Sequence, residues 1–181
     1  SGAMVRNLTV SGFNFGIRYY NSNNNNFFNN NVSYNGIGLY FSESNYNTIQ
    51  NNIASNNTYV GIYLDSLSSN NHDNNISNNI FSNNGSGGAI DSGIFIATYG
   101  GRNSSNNTTI DSNTVNYNSR GGGILLVGGG NLTNYTITNN DIEGNGGQGL
   151  NVPSTFSGVI HHNDIINNAN PPSVFPSIAN I

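Results

Sequence analysis

A short pattern of apolar residues and asparagines recurs along the chain and limits the folds that it can adopt. With h for an apolar residue, the pattern h-x-x-Asn-x-h-x-x-Asn occurs six times, and its first apolar residues lie 22 to 34 residues apart. These first residues are Phe27, Ile49, Ile76, Ile110, Ile137 and Ile160. The same spacing from Val5, with apolar residues in the Asn places, indicates a divergent first copy. Self-similarity at such a period is the signature of a repeat architecture.

A second element follows the divergent copy and each of the next five copies. It reads Gly, apolar, any residue, apolar, and its glycines are Gly16, Gly36, Gly61, Gly93, Gly123 and Gly149. Alternation with a period of two predicts short β-strands with one face inward, and the glycine suits a bend where two backbones approach closely. Short strands in a repeat of this length predict a parallel β-helix, in which each turn of chain is a rung and stacked rungs lie about 4.8 Å apart.

The asparagines at the first Asn position of the pattern are expected at a corner of each rung. Asn tolerates the left-handed backbone conformation, and amides stacked at the rung spacing can bond to one another as a ladder. The predicted ladder consists of Asn30, Asn52, Asn79, Asn113, Asn140 and Asn163. Variable repeat length disfavours the left-handed form, which keeps a strict six-residue period. The prediction is therefore an all-β fold, a right-handed parallel β-helix of about seven rungs in one chain.

Length and composition narrow the class further. Residues 1–4 read Ser-Gly-Ala-Met and resemble a remnant of tag cleavage, so the β-helix domain is placed at 5–181, as a fragment of a larger protein. No apolar run approaches the roughly 20 residues that span a bilayer. Charged residues make up 7% of the chain and Lys is absent, which argues against nucleic acid as a partner. The absence of Cys excludes disulfides and thiolate metal sites.

The repeat from Val5 to Asn168 resembles the right-handed β-helix repeats of NosD-like proteins, of carbohydrate-binding and sugar-hydrolase proteins, and of archaeal and bacterial adhesin-like surface proteins. The resemblance implies a secreted or cell-surface location and a structural, adhesive, carbohydrate-binding or polysaccharide-processing role. Lyases of this fold need a basic proton abstractor, and the hydrolases carry Asn-Thr-Asp and Asp-Asp sequences. This chain has no Lys, scattered Arg residues and neither sequence, which argues against an enzyme.

Three carboxylates are expected to converge on the last two rungs. Asp141 and Glu143 flank an inward residue, and Asp164 is expected directly above Asp141. Stacked carboxylates raise one another's pKa or recruit a cation, and their separation is near that of retaining glycosidases. Three alternatives stay open for Asp141, Glu143 and Asp164: an ordinary solvated acidic face, a Ca²⁺ site, or a catalytic set. No other cofactor is predicted.

Histidines offer a second candidate for metal binding. The NosD-like resemblance implies copper delivery, which needs soft or imidazole ligands, and the candidates are Met4, His72, His161 and His162. Adjacent residues of a strand point to opposite faces. His161 and His162 are therefore expected to diverge and to chelate a metal poorly.

An apolar strip is expected on the outward side of the second strand of each rung. Tyr63, Phe95 and Leu125 take outward positions on three consecutive rungs, and Tyr20 and Tyr40 could add aromatic stacking. Either the long loops at 84–92 and 97–105 and the tail at 171–181 cover the strip, or it is a platform for sugar rings or a protein partner.

Two functional hypotheses follow. The favoured one is a structural or adhesive module of an extracellular or cell-surface protein, with a glycan or a cell-surface molecule as its partner. The alternative is a polysaccharide-processing enzyme domain, a lyase, hydrolase or epimerase, with Asp141, Glu143 and Asp164 as its acids. The sequence leaves the oligomeric state and the identity of the glycan open.

Overall fold

The computed structural model describes residues 2–67, 70–86, 88, 90–99 and 104–172. Sixteen β-strands follow one another in this part of the chain, and it contains no helix long and apolar enough to span a bilayer. The strands are β1 Met4–Arg6, β2 Phe15–Tyr20, β3 Asn26–Phe28, β4 Ile37–Ser42, β5 Thr48–Gln50, β6 Val60–Ser66, β7 Asn75–Ser77, β8 Ser92–Thr98, β9 Ser104–Asn106, β10 Thr109–Asp111, β11 Gly122–Gly128, β12 Asn131–Thr138, β13 Asp141–Glu143, β14 Gln148–Asn151, β15 Phe156–His161 and β16 Asp164–Ile166. The first strand begins at Met4, the last residue of the expected tag remnant.

The strands form a parallel β-helix with three faces. The first sheet has the order β1-β3-β5-β7-β10-β12-β15, with β9 beside β12, and the second has the order β14-β11-β8-β6-β4-β2. The third face consists of single bridges that run from Thr9 through Ile53 to Asp141, followed by the β13–β16 pair. Because the chain passes seven times along the first sheet and six times along the second, it completes about six turns, which confirms the predicted all-β solenoid.

The core is a stack of like residues. The central residue of each short strand in the first sheet pairs with its counterpart above and below, and from the second rung on these side chains are fully buried. They are the predicted first apolar residues, Phe27, Ile49, Ile76, Ile110, Ile137 and Ile160. The alternate residues of the second sheet, such as Ile62 and Leu64, join them in one apolar cluster.

Each strand of the second sheet has a glycine as its second residue. The residue before this glycine lies on the outer face, and the residue after it points into the core. Ile17 pairs with Leu39, and Leu39 pairs with Ile62, so the counterpart of Gly16 and Gly61 on the second rung is Gly38. The predicted alignment at Gly36 is therefore wrong by two residues. A Cβ on Gly38 would lie 2.6 Å from the carbonyl oxygen of Gly61 and 2.9 Å from Ala54 Cβ, so the packing of successive rungs requires glycine here.

The predicted asparagine ladder is present over its whole length. In each step the Oδ1 atom of one Asn accepts hydrogen bonds from both the backbone N–H and the side-chain amide of the Asn on the preceding rung, at 2.9–3.0 Å from Asn30 to Asn163. The amide also donates to a main-chain carbonyl of the preceding rung, as Asn52 does to Phe27. Stacking therefore satisfies the polar groups of a buried amide from the rungs on both sides.

Two further ladders were not predicted. The second Asn of the repeat forms one as long as the first, and an Asn two residues before the first apolar residue forms a shorter one. They consist of Asn35, Asn57, Asn84, Asn118, Asn145 and Asn168, and of Asn25, Asn47 and Asn74.

The ladder residues themselves do not take the left-handed conformation, which corrects the expectation for the corners. The residue before each of them does: Asn29, Asn51 and Asn139 have φ of 53°, 57° and 55°. Each corner thus separates two roles that were predicted for one residue. The first residue makes the bend, and the second bonds along the stack.

Candidate functional site on the outer face of the second sheet

One column of side chains runs along the outer face of the second sheet. Strand pairing places Arg18, Tyr40, Tyr63, Phe95, Leu125 and Asn151 side by side on six successive rungs. The aromatic neighbours meet edge to face, with ring centroids 5.2 Å apart for Tyr40 and Tyr63 and 4.9 Å for Tyr63 and Phe95. The column contains the predicted apolar strip and extends it by Tyr40 and Arg18 at one end and by Asn151 at the other.

The middle of this column is covered. Tyr63, Phe95 and Leu125 are 9%, 2% and 7% exposed, and they pack with Val60 and Ala97 in a second apolar cluster outside the solenoid core. The hydroxyl of Tyr99, in the loop after β8, lies 3.0 Å from that of Tyr63. Cover was one of the two predicted alternatives. Of the predicted binding residues, Tyr20 and Tyr40 are the more exposed, and binding at them stays a prediction. Of the tail, residues 173–181 lie outside the described residues, as do Gly87, Ala89 and residues 100–103 of the two loops.

The start of the column is open. Tyr20 is 61% exposed, and the guanidinium of Arg18 lies 5.0 Å from the ring centroid of Phe15 and 5.4 Å from that of Tyr40. Among the described residues no carboxylate lies within ion-pair distance of Arg18. We call Phe15, Arg18, Tyr20 and Tyr40 the aromatic platform.

A buried carboxyl anchors Tyr40 from the next rung. The Tyr40 hydroxyl donates a 2.6 Å hydrogen bond to Oδ2 of Asp65, whereas Oδ1 is buried with no hydrogen-bond partner among the described residues. Burial raises the pKa of the Asp65 carboxyl, and the nearby Glu43 raises it further. Burial and the bond to Asp65 together raise the pKa of Tyr40 to about 12. The tyrosine therefore stays protonated at neutral pH, with its ring held in place.

The three predicted acidic residues lie on the third face of the solenoid. Asp141 and Asp164 are partners in the β13–β16 pair, as expected, while Glu143 is opposite Ile166. Asp141 accepts a hydrogen bond from Asn116, and Glu143 accepts one from Asn167. In the described ranges no group of three His, Asp or Glu side chains is arranged to hold a metal ion. Ca²⁺ binding or catalysis at Asp141, Glu143 and Asp164 stays a prediction.

The adjacent histidines do not diverge. His162 has φ of 54°, so the strand ends at His161 and the two imidazoles turn toward each other, with their Nδ1 atoms 2.6 Å apart. The expectation that the two rings point to opposite faces holds only for residues inside a strand, and it is wrong here. The signal was present in the sequence, because His162 precedes a ladder Asn as Asn139 does one rung earlier.

Phe15, Arg18 and Asp65 were missed as members of the site. Arg18 and Asp65 take outward positions that follow from the alternation of the second-sheet strands. Phe15 is in phase with the inward Ile17 and packs on Tyr40 outside the core, because the alternation breaks at Gly16. The wrong alignment at Gly36 hid the column of outward residues, because this alignment placed Tyr40 outside the strand motif of the second rung.

The geometry alone defines the class of protein. The chain is a β-solenoid with an interior filled by stacked side chains, and its candidate functional residues lie on the outer faces. The sequence pattern of right-handed β-helix regions matches residues 1–104. The chain belongs to this family, which is associated in general with structural or polysaccharide-related modules. No curated protein and no solved structure matches the chain significantly.

Proposed function

We propose that the chain is a rod-shaped module of an extracellular or cell-surface protein and that it binds glycans through the aromatic platform. The observation that carries the proposal is the exposed Arg18, which stacks on the rings of Phe15 and Tyr40 and has no carboxylate partner in the described part of the chain. The exposed Tyr20 lies beside it. Tyr and Arg are enriched among the residues that dominate binding energy, because they present large surfaces together with polar groups.

The chemistry of the platform suits a sugar ring. The apolar face of a pyranose can pack on an aromatic ring, and its hydroxyl or carboxylate oxygens can accept hydrogen bonds from the guanidinium fork. Tyr40 is fixed by the bond to Asp65. Because this ring is held before the ligand arrives, binding loses less conformational entropy.

The solenoid supplies rigidity to such a module. Three amide ladders tie successive rungs together, and parallel strand pairing runs along two faces of the rod, with single parallel bridges along most of the third. A stiff rod can hold a binding surface away from the point at which a larger protein is attached, which fits a structural or adhesive role at a cell surface.

The proposal is tested by titrating a panel of neutral and acidic oligosaccharides into the protein by calorimetry. Arg18→Ala and Tyr20→Ala should each weaken binding at least tenfold, while the fold stays intact by circular dichroism. The matched control is Tyr117→Asn. Tyr117 is 57% exposed at a corner where the two preceding rungs carry Asn83 and Asn56, so this variant removes an exposed ring and preserves the fold. Absence of binding across the panel, or equal losses in the control, would contradict the proposal.

A polysaccharide-processing enzyme is the second candidate, and the stacking of Asp141 on Asp164 is the observation that favours it. Carboxylates on neighbouring strands can reach the separation of about 5–5.5 Å used by retaining glycosidases. This alternative predicts cleavage of some polysaccharide that is lost in Asp141→Asn and unaffected by Arg18→Ala.

A further inference from the structure

His161 and His162 form a pair of imidazoles outside the aromatic platform, at the end of β15. Their rings meet nearly at right angles, with centroids 4.6 Å apart and an interplanar angle of 87°. The Nδ1 atoms face each other at 2.6 Å. His162 is exposed and His161 is half-buried, so both rings can be reached from solvent.

The backbone on both sides of the pair is fixed by the solenoid. His161 is in register with Thr138 of the preceding rung, and the ladder residue Asn163 donates to the carbonyl oxygens of His161 and Ile137 at 3.1 and 2.9 Å. The left-handed conformation of His162 is the one that each rung uses at this corner, as at Asn139. The two rings therefore converge because of the corner geometry.

Two nitrogens at this separation are close to the arrangement of a chelate. Metal–imidazole bonds of about 2.0–2.1 Å at right angles or at the tetrahedral angle place two nitrogens about 2.9–3.4 Å apart. From 2.6 Å the two nitrogens need to move apart by about 0.3–0.8 Å to hold an ion between them. Neutral imidazole is a preferred ligand of zinc, copper and nickel.

From this geometry we infer that His161 and His162 bind one divalent transition-metal ion of the zinc, nickel and copper class, through both Nδ1 atoms. The described residues hold no third His, Asp or Glu arranged with the pair. The remaining coordination positions are therefore open to water or to an oxygen or nitrogen of a partner molecule. Such a site exchanges its metal readily and can bridge the rod to a second ligand-bearing surface.

The test uses Zn²⁺ alone, titrated into the full chain at pH 7.5 and followed by calorimetry. Two variants copy the preceding rung and so preserve the corner: His161→Thr reproduces Thr138, and His162→Asn reproduces Asn139. The control, His72→Asn, removes the remaining histidine, which lies beside Asp73 and Tyr46 on another corner. We expect one Zn²⁺ per chain, at least tenfold weaker binding in each of the first two variants, and unchanged binding in the control.

A second readout separates metal binding from a hydrogen bond between the two rings. Saturating Zn²⁺ should raise the melting temperature of the wild type by mass action on the folded state, and should leave that of the His161→Thr/His162→Asn double variant unchanged. Wild-type binding no tighter than that of the double variant, or an equal loss in His72→Asn, would overturn the inference. Arg18→Ala should leave Zn²⁺ binding intact, so this result does not depend on the glycan proposal.

Discussion

At four corners along the first ladder the solenoid places two asparagines in succession and gives them different tasks. In the pairs Asn29–Asn30 and Asn51–Asn52, the first residue takes the left-handed conformation and the second bonds along the ladder. Asn serves both because its short amide lowers the cost of the left-handed region and reaches the neighbouring rung. Tyr34 and Tyr117 also occupy left-handed positions, with φ of 61° and 57°. A bulky residue is rarely found in this conformation.

Replacing a ladder residue should be costly. Asn113 is 1% exposed; its Oδ1 accepts from the N–H and amide of Asn79, and its own amide donates to Ile76 and Asn140. Asn113→Leu leaves the buried N–H of Asn79 without its acceptor and removes one hydrogen bond each from the Asn79 amide, Ile76 and Asn140. We expect it to reduce the free energy of unfolding by about 1–3 kcal/mol. Urea denaturation followed by circular dichroism measures the loss.

The matched control for Asn113→Leu is Asn31→Leu. Asn31 follows the ladder residue Asn30 and takes part in the third face through its backbone, but its side chain is exposed. A substitution of this kind should change stability by no more than about 0.5 kcal/mol. Equal losses in the two variants would show that the stacked amides contribute nothing beyond an ordinary surface Asn.

Two aspartates should give opposite pH dependences of stability. Burial raises the pKa of Asp65 above its ordinary value of 3.8. Its contribution is therefore complete below pH 3.8 and is lost as the pH rises through the raised value. Although partial burial acts in the other direction, hydrogen bonds from Thr138, Asn139 and Ser112 lower the pKa of Asp111. Its contribution is present above pH 3.8 and is lost as the pH falls through the lowered value.

The measurement compares melting temperatures of Asp65→Asn, Asp111→Asn and the wild type at pH 3 and pH 7. Relative to the wild type, the melting temperature of Asp65→Asn should rise as the pH rises, and that of Asp111→Asn should fall. Curves that move in the same direction for both variants would mean that the two carboxyls do not differ as their surroundings indicate.

At the scale of the strand, the glycine that begins each second-sheet segment sets how closely two rungs can approach. A Cβ on Gly61 would lie 2.6 Å from the carbonyl oxygen of Gly93 and 2.9 Å from Cδ1 of Phe81. A buried carbonyl held in a parallel ladder cannot move aside easily, so we expect Gly61→Ala to cost about 1–3 kcal/mol of stability.

Gly129→Ala is the control for this prediction, because a Cβ there meets nothing within 4 Å. Its effect should be within about 0.5 kcal/mol. Thermal unfolding of both variants gives the comparison, and a Gly61→Ala protein as stable as Gly129→Ala would argue against close backbone packing at the start of β6.

The whole molecule is a stack in which each rung covers the next. Removing residues 135–181 would uncover Ile110, Val115, Ile124 and Leu126, which are at most 1% exposed in the intact chain. The shortened protein would also present open strand edges, which template pairing between chains. We expect it to aggregate, as judged by size-exclusion chromatography with light scattering beside the intact chain. A soluble, folded monomer would contradict the dependence of each rung on its neighbours.

Much of the architecture could be predicted from the sequence because it depends on repeated local contacts. The first ladder, from Asn30 to Asn163, and the buried series from Phe27 to Ile160 follow from one spacing. The shorter ladder of Asn25, Asn47 and Asn74 was missed because later rungs carry Thr108 and Tyr135 at that position. Three occurrences in seven rungs are a weak periodic signal.

The sequence by itself determined which residues face inward and which stack, since a solenoid's contacts are between equivalent positions one repeat apart. Only the tertiary structure decided what the outer surface presents. Whether Tyr63 and Phe95 were open or covered depended on the residues that pack on the outer side of the second sheet, Tyr99 among them. Whether the rings of His161 and His162 met depended on how these two side chains turn at their corner. The left-handed angle at His162 recurs at this corner of every rung. The side chains carried there and over the second sheet do not repeat, so periodicity carries no information about their contacts. The aromatic platform and the histidine pair arise from these non-repeating features.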